Sequence, residues 1–407
     1  MNNTSALNKR WFYLITGVIS MLFSGVLYAW SILKVPFKEV FGWSDSVLAF
    51  NFTLTMTFFC LGAFFGSILS KKHGAKLPLI LSGILVGTGF IMTGMINAES
   101  YYLLYITYAI LAGTGIGISY NVIVSTVNMW FPDKKGLCSG CLMMGFGIST
   151  LLLGEIINKM FSYSDIGFGK TYIIMGIVIG IVLIISGFIL KKPSQDIIFP
   201  KAKIGRTTSK ENFEPRDFTP LEMIRSFTFI RAFVFFIFVT AVGNSVISFA
   251  RDLVLSVDAT ISLATTLVGI LAIFNGIGRV ITGIVYDGLG RSTTMLLSNI
   301  ITIIAAAITL VSVIINSLAL CILGLCLTGI SYGSCPTITA AFTSSFYGQK
   351  HYATNYSITN FNLIFASFIA NISNNLLIST GGYTAPFVML LILSVIALIL
   401  NLSIKRP

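Results

Sequence analysis

The sequence predicts an all-α membrane protein of twelve transmembrane helices in two six-helix halves. Three observations predict it. Charge is scarce: 10% of the 407 residues are charged and 55% are hydrophobic, where a soluble domain carries about 25% charged residues. A soluble chain of this length would need polar surface for two or three domains, so lipid is the expected outer solvent. The apolar residues fall in long runs, and the basic residues collect in alternate loops.

A membrane-spanning helix needs about 20 mostly apolar residues. The first half supplies runs at 11–33, 46–69, 77–97, 101–123, 137–160 and 171–190. The second supplies runs at 228–250, 261–285, 292–315, 317–343, 353–376 and 383–403. Span 1 follows Lys9 and Arg10 as a signal peptide would, but the run is too long and a second membrane segment follows, so it is expected to be retained. Loops carrying Lys71, Lys72 and Lys76, then Lys134 and Lys135, close spans 2 and 4; Arg291, Lys350, and Lys405 with Arg406 close spans 8, 10 and 12. The seams at 43–45, 98–100 and 316–317 are the least marked. Residues 191–227 form the one long polar stretch, with Lys191, Lys192, Lys201, Lys203, Arg206, Lys210, Glu211, Glu214 and Arg216. The organisation is therefore 1–190, a cytoplasmic linker 191–227, and 228–407. A sensor would need a folded soluble domain, for which this linker is too short.

Of 26 basic residues, 20 lie in the N-terminus, the even-numbered loops and the C-terminus. Lys34, Lys38, Lys159, Lys170 and Arg251 lie near odd-numbered loops, and Arg279 lies inside a span. Cytoplasmic loops retain Lys and Arg, so both termini are expected in the cytoplasm, with the chain in the inner (plasma) membrane. The net charge of +12 is then a topology signal; no soluble basic domain exists to bind nucleic acid. Six cysteines lie in or beside apolar runs, where they act as small hydrophobes. Cys138 and Cys141 have redox spacing without a βαβ setting, and His73 and His351 lie far apart. No metal site, no cofactor and no enzyme chemistry are expected.

Spans 3, 6, 9 and 12 are nearly pure hydrocarbon and are expected to face lipid. Span 1 carries Ser24, Tyr28 and Ser31 on one helical face. Span 4 carries Thr114, Tyr120, Asn121 and Ser125; span 7 carries Asn244, Ser245 and Ser248; span 8 carries Asn275 and Arg279. Span 10 carries Thr328, Ser331, Tyr332 and Cys335, and span 11 carries Ser357, Asn360, Ser367 and Asn371. Most such Ser, Thr and Asn residues join helices by hydrogen bonds; Tyr28, Tyr120 and Tyr332 divide evenly between packing and cavity lining.

Arg279 stands apart. It lies eight residues before Asp287, about 12 Å into the membrane at about 1.5 Å per residue, close to the midplane of a core about 30 Å thick. A charge there costs at least about 2.5–3.5 kcal/mol. Glu155, the one clearly intramembrane carboxylate, sits four residues before Lys159, its expected partner. Arg279 lacks an acidic neighbour within one turn, and the residue four earlier is Asn275. A guanidinium without a fixed counter-ion suits a carboxylate ligand, because its forked donors match two oxygens. Asn275 is expected to donate a further bond to that ligand.

After span 8 comes Gly283-Ile-Val-Tyr-Asp287-Gly-Leu-Gly290-Arg291, and after span 2 comes Gly66-Ser67-Ile-Leu-Ser70-Lys71-Lys72-His73-Gly74-Ala-Lys76. The first of these resembles the Gly-x-x-x-Asp-x-x-Gly-Arg loop of the major facilitator superfamily; the other is a degraded copy in which the Asp position falls on Lys71. The resemblance implies a transporter of major facilitator fold in which spans 1, 4, 7 and 10 line the cavity. It also implies a conformational gating role for Gly283, Asp287, Gly290 and Arg291.

Phe274-Asn-Gly-Ile-Gly-Arg279, Arg10-Trp-Phe-Tyr-Leu14 and Trp130-Phe-Pro-Asp-Lys-Lys-Gly136 resemble the oxalate/formate antiporter family and its monocarboxylate-transporter relatives. The resemblance implies that Tyr28, Tyr120 and Tyr332 line the substrate site and that Arg279 is the essential arginine. Two positions depart from the oxalate exchanger: its span-11 lysine falls on Leu363 and its span-1 glutamine on Leu27. Leu27, Leu363 and Asn360 join Asn275 as expected site residues. With one cation instead of two, the expected cargo is a small monocarboxylate such as lactate, pyruvate or formate. Animal relatives have an aspartate where Asn275 stands, so a co-transported proton would ride elsewhere; symport and exchange both remain open. A monomer is expected. The alternatives are an oxalate/formate-type anion exchanger, or a facilitator-type exporter of another substrate class.

Overall fold

The structure, a computed structural model, describes residues 3–194, 197–200 and 216–405. The side chains of residues 3–6, 31, 45, 46, 49, 261, 262 and 265 are excepted. Ser31 of the span-1 face and the linker charges Lys201, Lys203, Arg206, Lys210, Glu211 and Glu214 therefore lie outside the description. Among the described residues every regular element is helical. Eleven helices are long and apolar enough to cross a membrane. One of them, Ile261–Ile314, runs 54 residues and is broken at Gly290 (φ 78°, ψ 176°). An unbroken helix of that length would extend about 80 Å against a hydrocarbon core of about 30 Å. The break at Gly290 makes it two crossings, spans 8 and 9, and the total twelve.

The chain divides into two compact units, Met1–Asp133 with Gly145–Lys201, and Lys134–Met144 with Ala202–Pro407. In the first unit, span 1 begins as an α-helix over Asn3–Ser24. It tightens to a 3-10 turn at Gly25–Ala29 and resumes at Trp30–Leu33. Spans 2 and 3 are Asp45–His73 and Lys76–Thr93. Span 4, Tyr101–Asn128, contains a π-helical stretch at Tyr105–Ala112. Span 6 is Gly167–Ile189. Spans 2 and 4 touch backbone to backbone: a Cβ on Gly117 would collide with the Phe59 carbonyl, and one on Gly62 with that of Thr114. With no hydrophobic force between helices in lipid, such close packing is what joins them.

Span 5, Lys135–Ser162, has its first residues in the second unit. Span 7 is Phe227–Leu255, preceded by a short helix at Pro220–Arg225. Span 10 is Leu318–Tyr347 and span 12 is Thr384–Ser403. Span 11 is interrupted: Tyr352–Thr359 ends, and Asn362–Thr380 begins. The weakly marked seams are sharp in space. Gly42 takes a left-handed conformation (φ 68°) before the Ser44 cap, and Asn316 does the same (φ 53°) before span 10; Asn tolerates that region better than most residues.

The expectation that span 9 is nearly pure hydrocarbon is corrected. Thr294, Ser298, Asn299, Thr302, Thr309 and Ser312 are all buried along it. Thr302 shares a hydrogen bond with Ser331 of span 10 (2.5 Å), Ser298 shares one with Ser334, and Asn299 Nδ2 donates to the Ser394 carbonyl of span 12 (3.0 Å). Several of these hydroxyls also donate to the carbonyl one turn back, as Thr302 does to Ser298 (2.8 Å), which lets a hydroxyl sit inside an apolar span.

Candidate functional site

Arg279 lies within the second unit, on span 8, and is 2% exposed. Its Nε donates to Asn275 Oδ1 at 3.1 Å, and Nη1 donates to the Met143 carbonyl. Among the described residues no carboxylate makes an ion pair with it. The expected Glu155–Lys159 pair forms at 2.8 Å on span 5, so that carboxylate is committed elsewhere. The guanidinium thus rests on two neutral oxygens. Asn275 presents its amide oxygen to Arg279 as an acceptor, one helical turn away, so it orients the guanidinium and keeps its own N–H₂ for a further bond.

Span 10 runs beside this part of span 8 at backbone distance. A Cβ on Gly333 would strike the Asn275 carbonyl, and one on Gly278 the backbone of Ile330. Thr337 Oγ1 donates to the Arg279 carbonyl at 3.2 Å. Tyr332, next to Gly333, is buried with its ring against Gly243 of span 7. Asn275, Arg279 and Tyr332 are therefore brought to one region. Asn360 and Leu363 flank the interruption of span 11: Asn360 caps Tyr352–Thr359, and the Leu363 N–H donates to the Asn360 carbonyl at 3.0 Å. Neither hydrogen-bonds to Arg279.

In the first unit, Leu27 and Tyr28 lie on the 3-10 turn of span 1. Leu27 is buried and Tyr28 half-buried. A Cβ on Gly25 would strike the Phe146 carbonyl, so this turn lies directly on span 5. The Tyr28 and Tyr120 rings both meet Phe146 edge-on, at 5.2 and 5.0 Å, and Tyr120 also meets Phe59 at 5.1 Å. The two tyrosines are thus gathered around one phenylalanine. Sequence reasoning missed Phe146, which carries no pattern of its own, and the Met143 carbonyl, a backbone group invisible in any motif.

The loop expected to gate, residues 283–291, is built as a helix cap. Asp287 Oδ1 accepts from the Gly136 N–H and Oδ2 from the Leu137 N–H, both at 2.8 Å. These N–H groups belong to the first turn of span 5, where a helix leaves donors unpaired and a negative charge is favoured. The approach demands glycine on both sides, since a Cβ on Gly283 would strike the Gly136 carbonyl and one on Gly136 the Gly283 carbonyl. Gly290 supplies the positive φ that separates spans 8 and 9. Arg291 Cζ sits 4.8 Å from the centre of the Phe346 ring, and its Nη2 reaches the Ile404 carbonyl at 3.4 Å. The degraded copy keeps the turn, with Gly74 at φ 69°. It lacks the aspartate; instead Lys192 Nζ donates to the Ser70 carbonyl at 3.0 Å, a cation at the C-terminal end of span 2.

Two of the sequence motifs prove to be one structure. Arg10 Nη1 meets Asp133 Oδ1 at 2.8 Å, both side chains largely buried. The Arg10 guanidinium lies 5.0 Å from the Phe131 ring centre, and Tyr13 packs on Trp130 at 4.7 Å.

A model of the Major Facilitator Superfamily matches residues 12–371 and, again, 233–407. The chain is 32% identical over 294 residues to the oxalate:formate antiporter of Oxalobacter formigenes, covering 72% of this chain and 67% of that protein. It is 28% identical over 163 residues to monocarboxylate transporter 12 of Mus musculus, covering 39% of this chain but only 30% of the mouse protein. The solved structure of the proton:xylose symporter XylE, bound to 6-bromo-6-deoxy-D-glucose, superposes with a TM-score of 0.73 at 12% identity. That match covers 99% of this chain and 97% of the symporter, and at such identity it is a likeness of fold.

Proposed function

This chain belongs to the Major Facilitator Superfamily and is a multi-pass membrane transporter, not an enzyme; from that premise we propose that it carries small monocarboxylates of the lactate, pyruvate or formate type, with Arg279 binding the carboxylate. The observation that carries the proposal is the buried guanidinium held by neutral oxygens alone. Asn275 and Met143 take two of the five N–H donors, so a carboxylate could take the remaining Nη donors and supply the negative charge that two neutral oxygens lack. The guanidinium fork also matches the two oxygens of a carboxylate, a bidentate geometry that a single carbonyl cannot supply. Leu363 and Leu27 add no second cation, so a monoanion leaves the loaded site neutral where a dianion would not. Tyr28, Tyr120, Tyr332 and Asn360 would contribute shape and hydrogen bonds.

Exchange is favoured over proton symport. The acceptor beside Arg279 is an amide, which does not titrate. An unloaded carrier would have to reorient with an uncompensated charge in its interior, whereas a monoanion-loaded one would not. Transport would proceed by alternating access between 1–190 and 228–407, with both termini in the cytoplasm and Asp287 on the first turn of span 5 as a releasable cap. The test is uptake of labelled formate, lactate, pyruvate and oxalate by purified protein in proteoliposomes, with and without internal acid and with and without a pH gradient. Internal monocarboxylate should accelerate uptake, and a pH gradient should leave it unchanged. Oxalate exchange as fast as formate exchange would overturn the single-cation argument.

A further inference from the structure

We infer that Leu221, Ile224 and Phe227, flanked by Arg225 and Arg231, form a docking surface for an anionic phospholipid headgroup at the N-terminal end of span 7. These residues sit on a segment fixed from several directions. Asp217 Oδ1 accepts from the Gln349 and Lys350 N–H groups at 2.9 and 3.0 Å. Phe218 N donates to the Tyr347 carbonyl, and its own carbonyl accepts from Asn355 Nδ2, both at 3.0 Å. Thr219 and Glu222 close a capping box at the start of Pro220–Arg225, which ties both helix-end donors to side chains. Met223 is fully buried in the core beneath.

A segment held this firmly would be expected to hide its apolar side chains, yet Leu221 is 57%, Ile224 44% and Phe227 78% exposed. Ile230, three residues further along span 7, is exposed as well. Span 7 has 29 residues, about 43 Å, and overshoots a core of about 30 Å by about 7 Å at each end. Phe227, its first residue, would then lie among the headgroups, and Arg231, one turn in, at the edge of the hydrocarbon. Aromatic rings and arginines are favoured at that level.

The charge selects the headgroup. Both acidic groups of the segment are committed, Asp217 to backbone N–H groups and Glu222 to Thr219 and Arg216. Arg225 is exposed and makes no hydrogen bond or ion pair with the described residues; Arg231 makes one hydrogen bond, to the Ser403 carbonyl at 2.9 Å. Two cations beside an apolar step match a phosphate above acyl chains, and a zwitterionic headgroup would gain less from them.

The test places an indole at the step by Phe227→Trp and follows quenching by brominated lipids in proteoliposomes, taking the difference from the parent because four native tryptophans contribute. Brominated phosphatidylglycerol should quench the added indole about fivefold or more better per mole than brominated phosphatidylcholine, since each basic residue near such a surface is worth about that factor. Arg225→Gln with Arg231→Gln should bring the ratio near one, and Arg225→Lys with Arg231→Lys should preserve it. Equal quenching by both lipids before any arginine is changed would overturn the inference. So would a water-like, unquenched indole, which would place the step in solvent or under another protein.

Discussion

Substituting Arg279 tests the carboxylate argument most directly. Arginine has five N–H donors; two are used, by Asn275 Oδ1 and the Met143 carbonyl. A carboxylate taking the fork would make two charge-assisted bonds, worth about 1.5–3 kcal/mol each, or about 3–6 kcal/mol together. Arg279→Gln removes both and should weaken apparent affinity by about 10²- to 10⁴-fold. Arg279→Lys keeps the charge but loses the fork and the bond to Asn275 that aims it. About half the interaction should remain, so a loss of about 10- to 100-fold is expected. The assay is counterflow of labelled formate and lactate in proteoliposomes, read as KM. Thermal unfolding in detergent must accompany it, because removing the guanidinium takes its donor from the Asn275 oxygen, at about 1–3 kcal/mol. A folded Arg279→Gln protein whose KM stays within threefold of the parent would refute the reasoning. The order of the two variants matters as well: a Lys variant no better than the Gln variant would mean that charge contributes nothing and geometry everything.

Three further outcomes follow. Leu363→Lys, beside the interruption of span 11, should shift the oxalate-to-formate preference toward oxalate by about tenfold or more, from one added charge-assisted bond of about 1.5–3 kcal/mol; competition uptake reads it. Gly283→Ala forces a Cβ onto the Gly136 carbonyl and should cost at least about 1–3 kcal/mol, seen as a lowered Tm, whereas Gly269→Ala on the same span meets nothing within 4 Å and should be neutral or slightly stabilising. Glu222, outside the spans, is held below its usual 4.5, first by the Thr219 N–H and then by the Thr219 hydroxyl. A depressed acid contributes above its usual pKa and loses that contribution as pH falls through its folded value, so hydrogen exchange over 219–225 should rise only on acidification well below 4.5, and Glu222→Gln should abolish that step.

The twelve crossings were legible because lipid leaves the backbone no alternative: each crossing must satisfy its own N–H and C=O groups, so each is a long apolar helix. The departures from ideal helix were not legible. Gly25–Ala29 in span 1, Tyr105–Ala112 in span 4 and the interruption at 360–361 in span 11 leave composition unchanged. Gly25 is pressed against the Phe146 carbonyl, and that contact joins residues 121 apart in sequence, where no local pattern reaches. Span 9 was misread for a related reason. Its hydroxyls are buried partly by bonding to their own helix, so a polar stripe reads as hydrocarbon when only the neighbouring Ile and Ala are weighed.

The site divides along the same line. Arg279 and Asn275 were readable because a four-residue spacing fixes adjacency within a helix. The Glu155–Lys159 pair was readable on the same ground. The partner of Asp287 was not: the carboxylate faces backbone N–H groups 150 and 151 residues away, and a backbone donor leaves no mark in a sequence. The direction of the Asn275 bond is fixed by chemistry, because a guanidinium only donates, and it matters most for coupling. An amide that accepts from Nε aims the guanidinium without neutralising it. A carboxylate in the same place would aim it and cancel its charge until protonated. On the proposed carboxylate reading, Asn at 275 separates orientation from titration and would leave the cargo itself as the group that neutralises Arg279, the physical condition under which exchange outruns net flux.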